Sequence, residues 1–282
     1  MLLEETSLLT EDLRYGEENR KYLLPWWREM KEKGKNTSVI IQSRMGSTRL
    51  YGKVMKEICG KTVLIHDLER IKRMETIDNI LVATTTLKKD DIIVRTVNDY
   101  DENIGIYRGC SEDVLDRYYK AAKEFKVDTI IRISSDAPLV DPKISDLVVK
   151  SFFESHCDYC CNNMPRTYPY GLDTEVFSFE SIEKAWKNAR NSYEREHVTP
   201  YIWSNSDKFI IKNVKNNIDL SHLRWALDYP EDFDFISEIY KRLYPQKKIF
   251  YMKDILDVLE KEPHLKYINR KYTKMIRAEK NL

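Results

Sequence analysis

The sequence predicts an α/β fold: a three-layer sandwich with a mostly parallel sheet, an inserted β-rich arm and an N-terminal helical extension. Three observations carry this. Short apolar runs of buried-strand type alternate with segments of helical periodicity through the first half of the chain. The segments between runs are long enough for right-handed crossover helices, which parallel strands require. The first run also leads straight into a loop of glycines, hydroxyls and cations, and open parallel sheets place such loops at a ligand crevice.

In chain order, residues 1–36 are rich in Glu, Arg and Lys, with Trp26 and Trp27 among them, and read as a helical extension ending in a linker. Ser38–Gln42 is the first strand, and apolar residues from Val63 to Met74 recur at helical spacing. A second strand follows over Asn79–Thr84, a helix over Asp90–Tyr100 and a third strand over Ile104–Tyr107. Ser111 is placed to cap a helix carrying Val114, Tyr118 and Phe125. Thr129–Ile133 is the fourth strand, and Pro142 opens the next helix. Beyond it the pattern is less regular. Asp158–Cys161, Thr174–Phe179 and Phe209–Val214 read as strands, and Ser181–Asn188, Glu231–Arg242 and Met252–Leu259 as helices. The main domain is therefore expected over 37–272, with a polar tail over 273–282.

Composition narrows the function. With 282 residues, 42% hydrophobic and 33% charged, the chain suits a soluble globular protein. Lys plus Arg is 47 against 46 for Asp plus Glu, so no global basic field marks it for nucleic acid. No long uncharged apolar run suggests a membrane partner, and five cysteines without a signal-like start suggest a reducing, cytoplasmic setting.

The loop Gln42–Lys53 holds two glycines together with Arg44, Ser47, Thr48, Arg49 and Lys53. Glycine lets backbone approach an anion, hydroxyls donate, and guanidinium forks match phosphate oxygens. The set suits a nucleoside triphosphate, although it is neither a dinucleotide fingerprint nor a Walker loop. The fourth strand ends in Ser134-Ser135-Asp136, and a second apolar stretch delivers Asp228 just before Pro230. One or two carboxylates are what Mg²⁺ usually takes from a protein, so Asp136 and Asp228 are the candidate metal pair. Asp99-Tyr100-Asp101 has the Asp-x-Asp form of glycosyltransferases but sits at a predicted helix end in a polar run.

Many of these motifs, in order, resemble one family. They include Ser43–Leu50, Val82–Thr85, Tyr107–Arg117, Asp136–Leu139, Pro165–Pro169, Gly171–Phe177, Glu194–Tyr201, Leu223–Trp225 and Asp228–Asp232. The chain is similar to the cytidylyltransferase-like proteins of spore-coat polysaccharide biosynthesis, cousins of the acylneuraminate and deoxy-manno-octulosonate cytidylyltransferases. The resemblance implies a nucleotide-diphospho-sugar transferase type of fold. It also implies Mg²⁺-dependent transfer of CMP from CTP to a sugar-type acceptor, with release of pyrophosphate, by a homodimer. Arg44, Ser47, Thr48, Arg49 and Lys53 would face the triphosphate. Thr84, Ser111 and Ser134 would lie near base and ribose, and Arg166, Tyr168, Asp173, Glu175, Arg195 and His197 on the acceptor side. The catalytic set would be Arg44, Lys53, Asp136 and Asp228. Two positions depart from the family pattern: Tyr51 stands where proline is usual, and Ala226 where sialate-type relatives carry an aspartate. A glycosyltransferase of related fold and a non-catalytic nucleotide-binding protein are the alternatives.

Overall fold

Strand β1 (Thr37–Gln42), with Val39, Ile40 and Ile41 at its middle, is buried along almost its whole length because it lies inside the sheet, between the strands Asn79–Thr85 and Thr129–Ser134. The structure, a computed structural model, describes residues 34–272, and the expected helices over 1–33 and the tail 273–282 lie outside them. After a 3₁₀ turn at Lys53–Met55 comes a hairpin of β2 (Glu57–Ile58) and β3 (Lys61–Thr62). Then follow α1 (Val63–Ile71), β4 (Asn79–Thr85), α2 (Asp91–Tyr100), β5 (Gly105–Gly109), α3 (Val114–Glu124), β6 (Thr129–Ser134) and α4 (Pro142–Ser155). The second half adds β7 (Tyr159–Cys161), β8 (Glu175–Ser178), α5 (Phe179–Asn188), α6 (Ser192–His197), α7 (Pro200–Trp203), β9 (Ile211–Asn213), α8 (Pro230–Leu243) and α9 (Met252–Lys261).

Seven strands form one sheet in the order β5-β4-β1-β6-β8-β7-β9. Pairing is parallel except on either side of β8, which alone runs against the rest. The chain passes from β1 outward through β4 to β5, then returns to lay β6 on the other side of β1. That reversal makes a switch point between the ends of β1 and β6, where crossing loops diverge and leave a crevice.

Alternation along the strands sends Ile40, Leu81, Ile130, Tyr159 and Phe177 into a core shared with Tyr118 and Ala122 of α3 and Ile182 of α5. A separate core joins Val63 of α1, Ile144 of α4, Trp225, Phe235 and Ile239 of α8 and Ile255 of α9. Among the described residues no helix is long and apolar enough to cross a membrane.

Three expectations change. The inserted β-rich arm does not form as a separate element: residues 162–174 carry only isolated bridges, and β8 lies inside the main sheet, paired with β6 and β7. Val176 and Phe177 are both fully buried, so this strand is stable only where both faces are covered. Asp113, not Ser111, caps α3, accepting from the amide of Asp116 at 2.9 Å. The expected strand over 209–214 shortens to β9.

Candidate active site

The crevice at the switch point is a cavity of about 440 Å³. The loop after β1 forms one wall. Its fold is set by backbone: Gly52 and Ser47 both donate to the carbonyl of Met45, at 3.0 and 2.9 Å. Gly52 sits at φ 63°, which lets the chain turn into the 3₁₀ segment that begins with Lys53. Fully buried Asp90 anchors the loop from beneath, accepting from the amide of Met45 at 2.7 Å. From this wall Arg44, Ser47, Thr48, Arg49 and Lys53 line the cavity. Arg49 donates to the hydroxyl of Tyr229 at 3.3 Å, an interaction that raises its pKa despite some burial.

The end of β6 supplies Ser134 and Asp136, and the segment before α8 supplies Asp228. These two segments are tied together, the amide of Leu227 donating to the carbonyl of Asp136 at 2.8 Å. Asp228 is then fixed from behind. Buried Arg224 donates to its Oδ2 at 2.8 Å and to both oxygens of Asp232 at 2.9 and 2.8 Å. Asp232, fully buried, also accepts the amides of Asp228 and Tyr229, each at 3.0 Å, at the start of α8. Nζ of Lys53 closes the front, 2.8 Å from Asp136 and 2.9 Å from Asp228. Burial alone would lower the Lys53 pKa, but the two carboxylates outweigh it and hold the ammonium above its usual range. Burial likewise pushes Asp228 up, and Lys53 and Arg224 outweigh it and leave the carboxylate below its ordinary value.

The opposite wall comes from 163–175 and the end of α6, with Asp173, Glu175 and His197 in the lining. Apart from Glu196 at the end of α6, its carboxylates are paired with arginines. Arg166 grips Asp173 through two N–H donors, and Arg132 on β6 pairs with Glu175 on β8. Glu175 also accepts from Tyr159 at 2.5 Å and from Thr199 at 2.7 Å. Burial would lower Arg132, yet Glu175 keeps it firmly charged. Gly171, at φ 112°, runs against the backbone of 225–226; a Cβ there would lie 2.5 Å from the amide nitrogen of Ala226. Glycine is therefore required for this wall to close on the segment that carries Asp228.

Of the expected site residues, five do not line the cavity. Thr84 is fully buried within β4, a strand covered on both faces, where its neighbours Ala83 and Thr85 are fully buried as well. Ser111 meets the site only through its carbonyl, 3.5 Å from a guanidinium nitrogen of Arg44. Tyr168 is buried in the apolar core beside α8. Arg166 stands behind Asp173, and Arg195 ties α6 to the cap of α3 by pairing with Asp113, Nε to Oδ2 at 2.9 Å. Asp101 also lies elsewhere, at the end of α2 in an ion pair with Lys72. Residues that sequence reasoning missed are Arg117 and Arg132, which line the cavity, and Arg224, Asp90 and Asp232, which brace it. Arg117, Arg224 and Asp232 lie inside the motifs named above, but nothing local in the sequence marks the partners that the fold gives them.

Among the described residues no cluster of three or more His, Cys, Asp or Glu side chains could cage a metal. The cavity instead offers two carboxylates converging on one cation, a donor set that fits Mg²⁺ completed by phosphate and water oxygens.

The cytidylyltransferase family model matches residues 38–264. An uncharacterized protein of Methanocaldococcus jannaschii is 37% identical over 232 residues, covering 82% of this chain and 93% of that protein. The spore coat polysaccharide biosynthesis protein SpsF of Bacillus subtilis is 29% identical, covering 72% of this chain and 85% of its own length. A solved cytidylyltransferase from Leptospira borgpetersenii superposes with a TM-score of 0.78 at 33% identity, covering 82% of this chain and 97% of that one. With its mostly parallel seven-stranded sheet and a family match spanning the whole crevice, the chain belongs to the cytidylyltransferase family of enzymes.

Proposed function

We propose that this protein transfers CMP from CTP to a sugar acid or related sugar-type acceptor, releasing pyrophosphate, in surface-polysaccharide or glycoconjugate precursor synthesis. The observation that carries the reading is an imbalance of charge in the cavity. Arg44, Arg49 and Arg117 line it with no carboxylate partner among the described residues, while the acidic residues Asp173 and Glu175 across from them are neutralised by arginines. A triphosphate brings about four negative charges that such a wall can answer, each charged hydrogen bond contributing about 1.5–3 kcal/mol.

In this reading Arg44 and Arg49 bind the β- and γ-phosphates and offset charge on the departing pyrophosphate. Ser47 and Thr48 add donors, and Ser134 faces the nucleoside. Asp136 and Asp228 hold Mg²⁺, which when bound neutralises phosphate charge and makes an acceptor hydroxyl more acidic. Arg224 keeps Asp228 turned toward the cavity. The wall that carries Asp173, Glu175 and His197 forms the acceptor side, with Asp173 and Glu175 held in it by Arg166 and Arg132. Nucleotidyl transfer depends mainly on positioning and charge neutralisation, and the chain's own contribution is to supply both. Assembly as a homodimer belongs to the same proposal, and light scattering tests it.

The deciding assay is pyrophosphate release with each of the four ribonucleoside triphosphates against a panel of sugar acids, sugar phosphates and phosphonates. CTP-dependent pyrophosphate with one acceptor class is the expected result. Release of a nucleoside diphosphate from a nucleotide sugar, or no turnover with any pairing, overturns the reading.

A further inference from the structure

Lys53 occupies the position between the two candidate metal carboxylates. Its Nζ donates to Asp136 at 2.8 Å, to Asp228 at 2.9 Å and to the carbonyl of Leu227 at 2.8 Å. An ammonium has three N–H donors, so none is left for a phosphate oxygen. The carboxylates, closed around one cation in a site where the lysine side chain is only 12% exposed, cannot hold a second cation in the same place. In the chain as it stands, the lysine that should meet the triphosphate and the carboxylates that should meet the metal are engaged with each other.

The two partners differ in freedom. Asp228 is braced by Arg224, and its segment is hydrogen-bonded to that of Asp136. Lys53 reaches in from the loop side on a flexible four-carbon stem, at the first residue of the 3₁₀ turn. Its head can leave without disturbing the backbone, whereas the carboxylates cannot separate without breaking the bracing.

We propose that Lys53 is a built-in placeholder for the divalent ion: it closes the two-carboxylate site in the free protein and moves to the triphosphate when nucleotide arrives. The site then opens only when nucleotide is present, so nucleotide and metal bind cooperatively. By linkage each tightens the other's binding by the same factor. This inference rests on the reading of the cavity as a CTP site. It adds an order to that reading: a site kept shut without nucleotide does not load metal idly.

The test is Mn²⁺ binding to the full-length protein, followed by electron paramagnetic resonance, with and without a non-hydrolysable CTP analogue. Wild type is expected to bind Mn²⁺ at least tenfold more tightly with the analogue present. Lys53→Met is expected to bind Mn²⁺ at least tenfold more tightly than wild type without nucleotide, and to lose most of the nucleotide-dependent gain. Adding Asp136→Asn to Lys53→Met should abolish the new affinity, and Lys56→Met, which removes a charge nearby without touching the carboxylates, should leave Mn²⁺ binding within twofold of wild type. Thermal melts confirm that each variant is folded. Unchanged nucleotide-free Mn²⁺ affinity in folded Lys53→Met overturns the proposal, as does wild-type Mn²⁺ affinity that ignores the analogue while calorimetry shows the analogue bound. If Lys53→Met gains Mn²⁺ affinity but wild type binds no CTP analogue, the CTP reading fails and the placeholder stands.

Discussion

The two walls of the cavity use the same residue types in opposite states. On the loop wall, Arg44 and Arg49 meet only a carbonyl and a tyrosine hydroxyl, and carry no carboxylate partner among the described residues. On the facing wall, Arg132 and Arg166 are closed onto Glu175 and Asp173. An arginine left with open donors in a cleft recognises a polyanion; one sealed onto a buried carboxylate holds two strands or two turns together. The second wall has therefore used its charges as scaffold. Asn163, Tyr170 and His197 line the same wall and add no second set of open arginines for a polyphosphate.

The largest effect should come from breaking the scaffold. Glu175→Gln leaves Arg132 beside a neutral amide, and removing one partner of a buried pair typically costs about 3–5 kcal/mol. Urea unfolding should show a loss of that order, with CTP affinity of the folded protein kept within about twofold. A variant of undiminished stability that no longer accepts any acceptor would move Glu175 from scaffold to binding site.

Next come the carboxylates where the walls meet. Asp136→Asn and Asp228→Asn should each lower pyrophosphate release by about a hundredfold or more, the scale of losing charge stabilisation at a reacting phosphate. Circular dichroism should show the fold intact. Near-normal turnover of both at saturating Mg²⁺ would remove them from the metal site, and a comparable loss on replacing Asp99 or Asp101 would favour glycosyl transfer.

On the loop wall the expected change is smaller and selective. Arg44→Ala or Arg49→Ala should weaken CTP binding by about tenfold or more and CMP binding far less, because charged hydrogen bonds contribute about 1.5–3 kcal/mol each and the monophosphate lacks the outer phosphates. Calorimetry with both ligands decides. Equal weakening of the two would place these arginines near the α-phosphate and blunt the contrast between walls.

The smallest effect is a pH response behind the loop wall. His66 of α1 is buried, its Nε2 2.7 Å from the carbonyl of Ile58 in the hairpin and its ring 4.3 Å from that of Tyr240. Burial lowers its pKa from 6.5. The unfolded chain then takes up a proton first as pH falls, so this contribution to stability is complete above about 6.5 and declines below it. Melting temperatures between pH 7.5 and 5.5 should fall, and the slope should flatten in His66→Gln. An unchanged slope would assign the acid sensitivity to other groups.

Much of the architecture was legible because it is encoded locally. Runs such as Ser38–Gln42 and Thr129–Ile133 carry their burial in consecutive side chains, and Pro142 and Pro230 mark helix starts by their fixed φ. The phosphate-type loop was legible for the same reason, since its glycines, hydroxyls and cations are neighbours in the chain. Short helices α6 and α7 and the two-residue strands β2 and β3 were not, because elements of that length are stable only through tertiary contacts.

By itself, then, the sequence determined the alternating strands and helices, the cationic loop after the first strand, and the two aspartates at the ends of apolar stretches. Only the tertiary structure decided which charges are open and which are closed. Lys53 meets Asp228 across 175 positions and Arg132 meets Glu175 across 43, and no local pattern announces either pair. It also decided that β8 enters the sheet against the direction of its neighbours, which brings Glu175 opposite Arg132. Periodicity records which face of an element is apolar, but a charge's partner is set by strand order and register, and those exist only once the chain has folded.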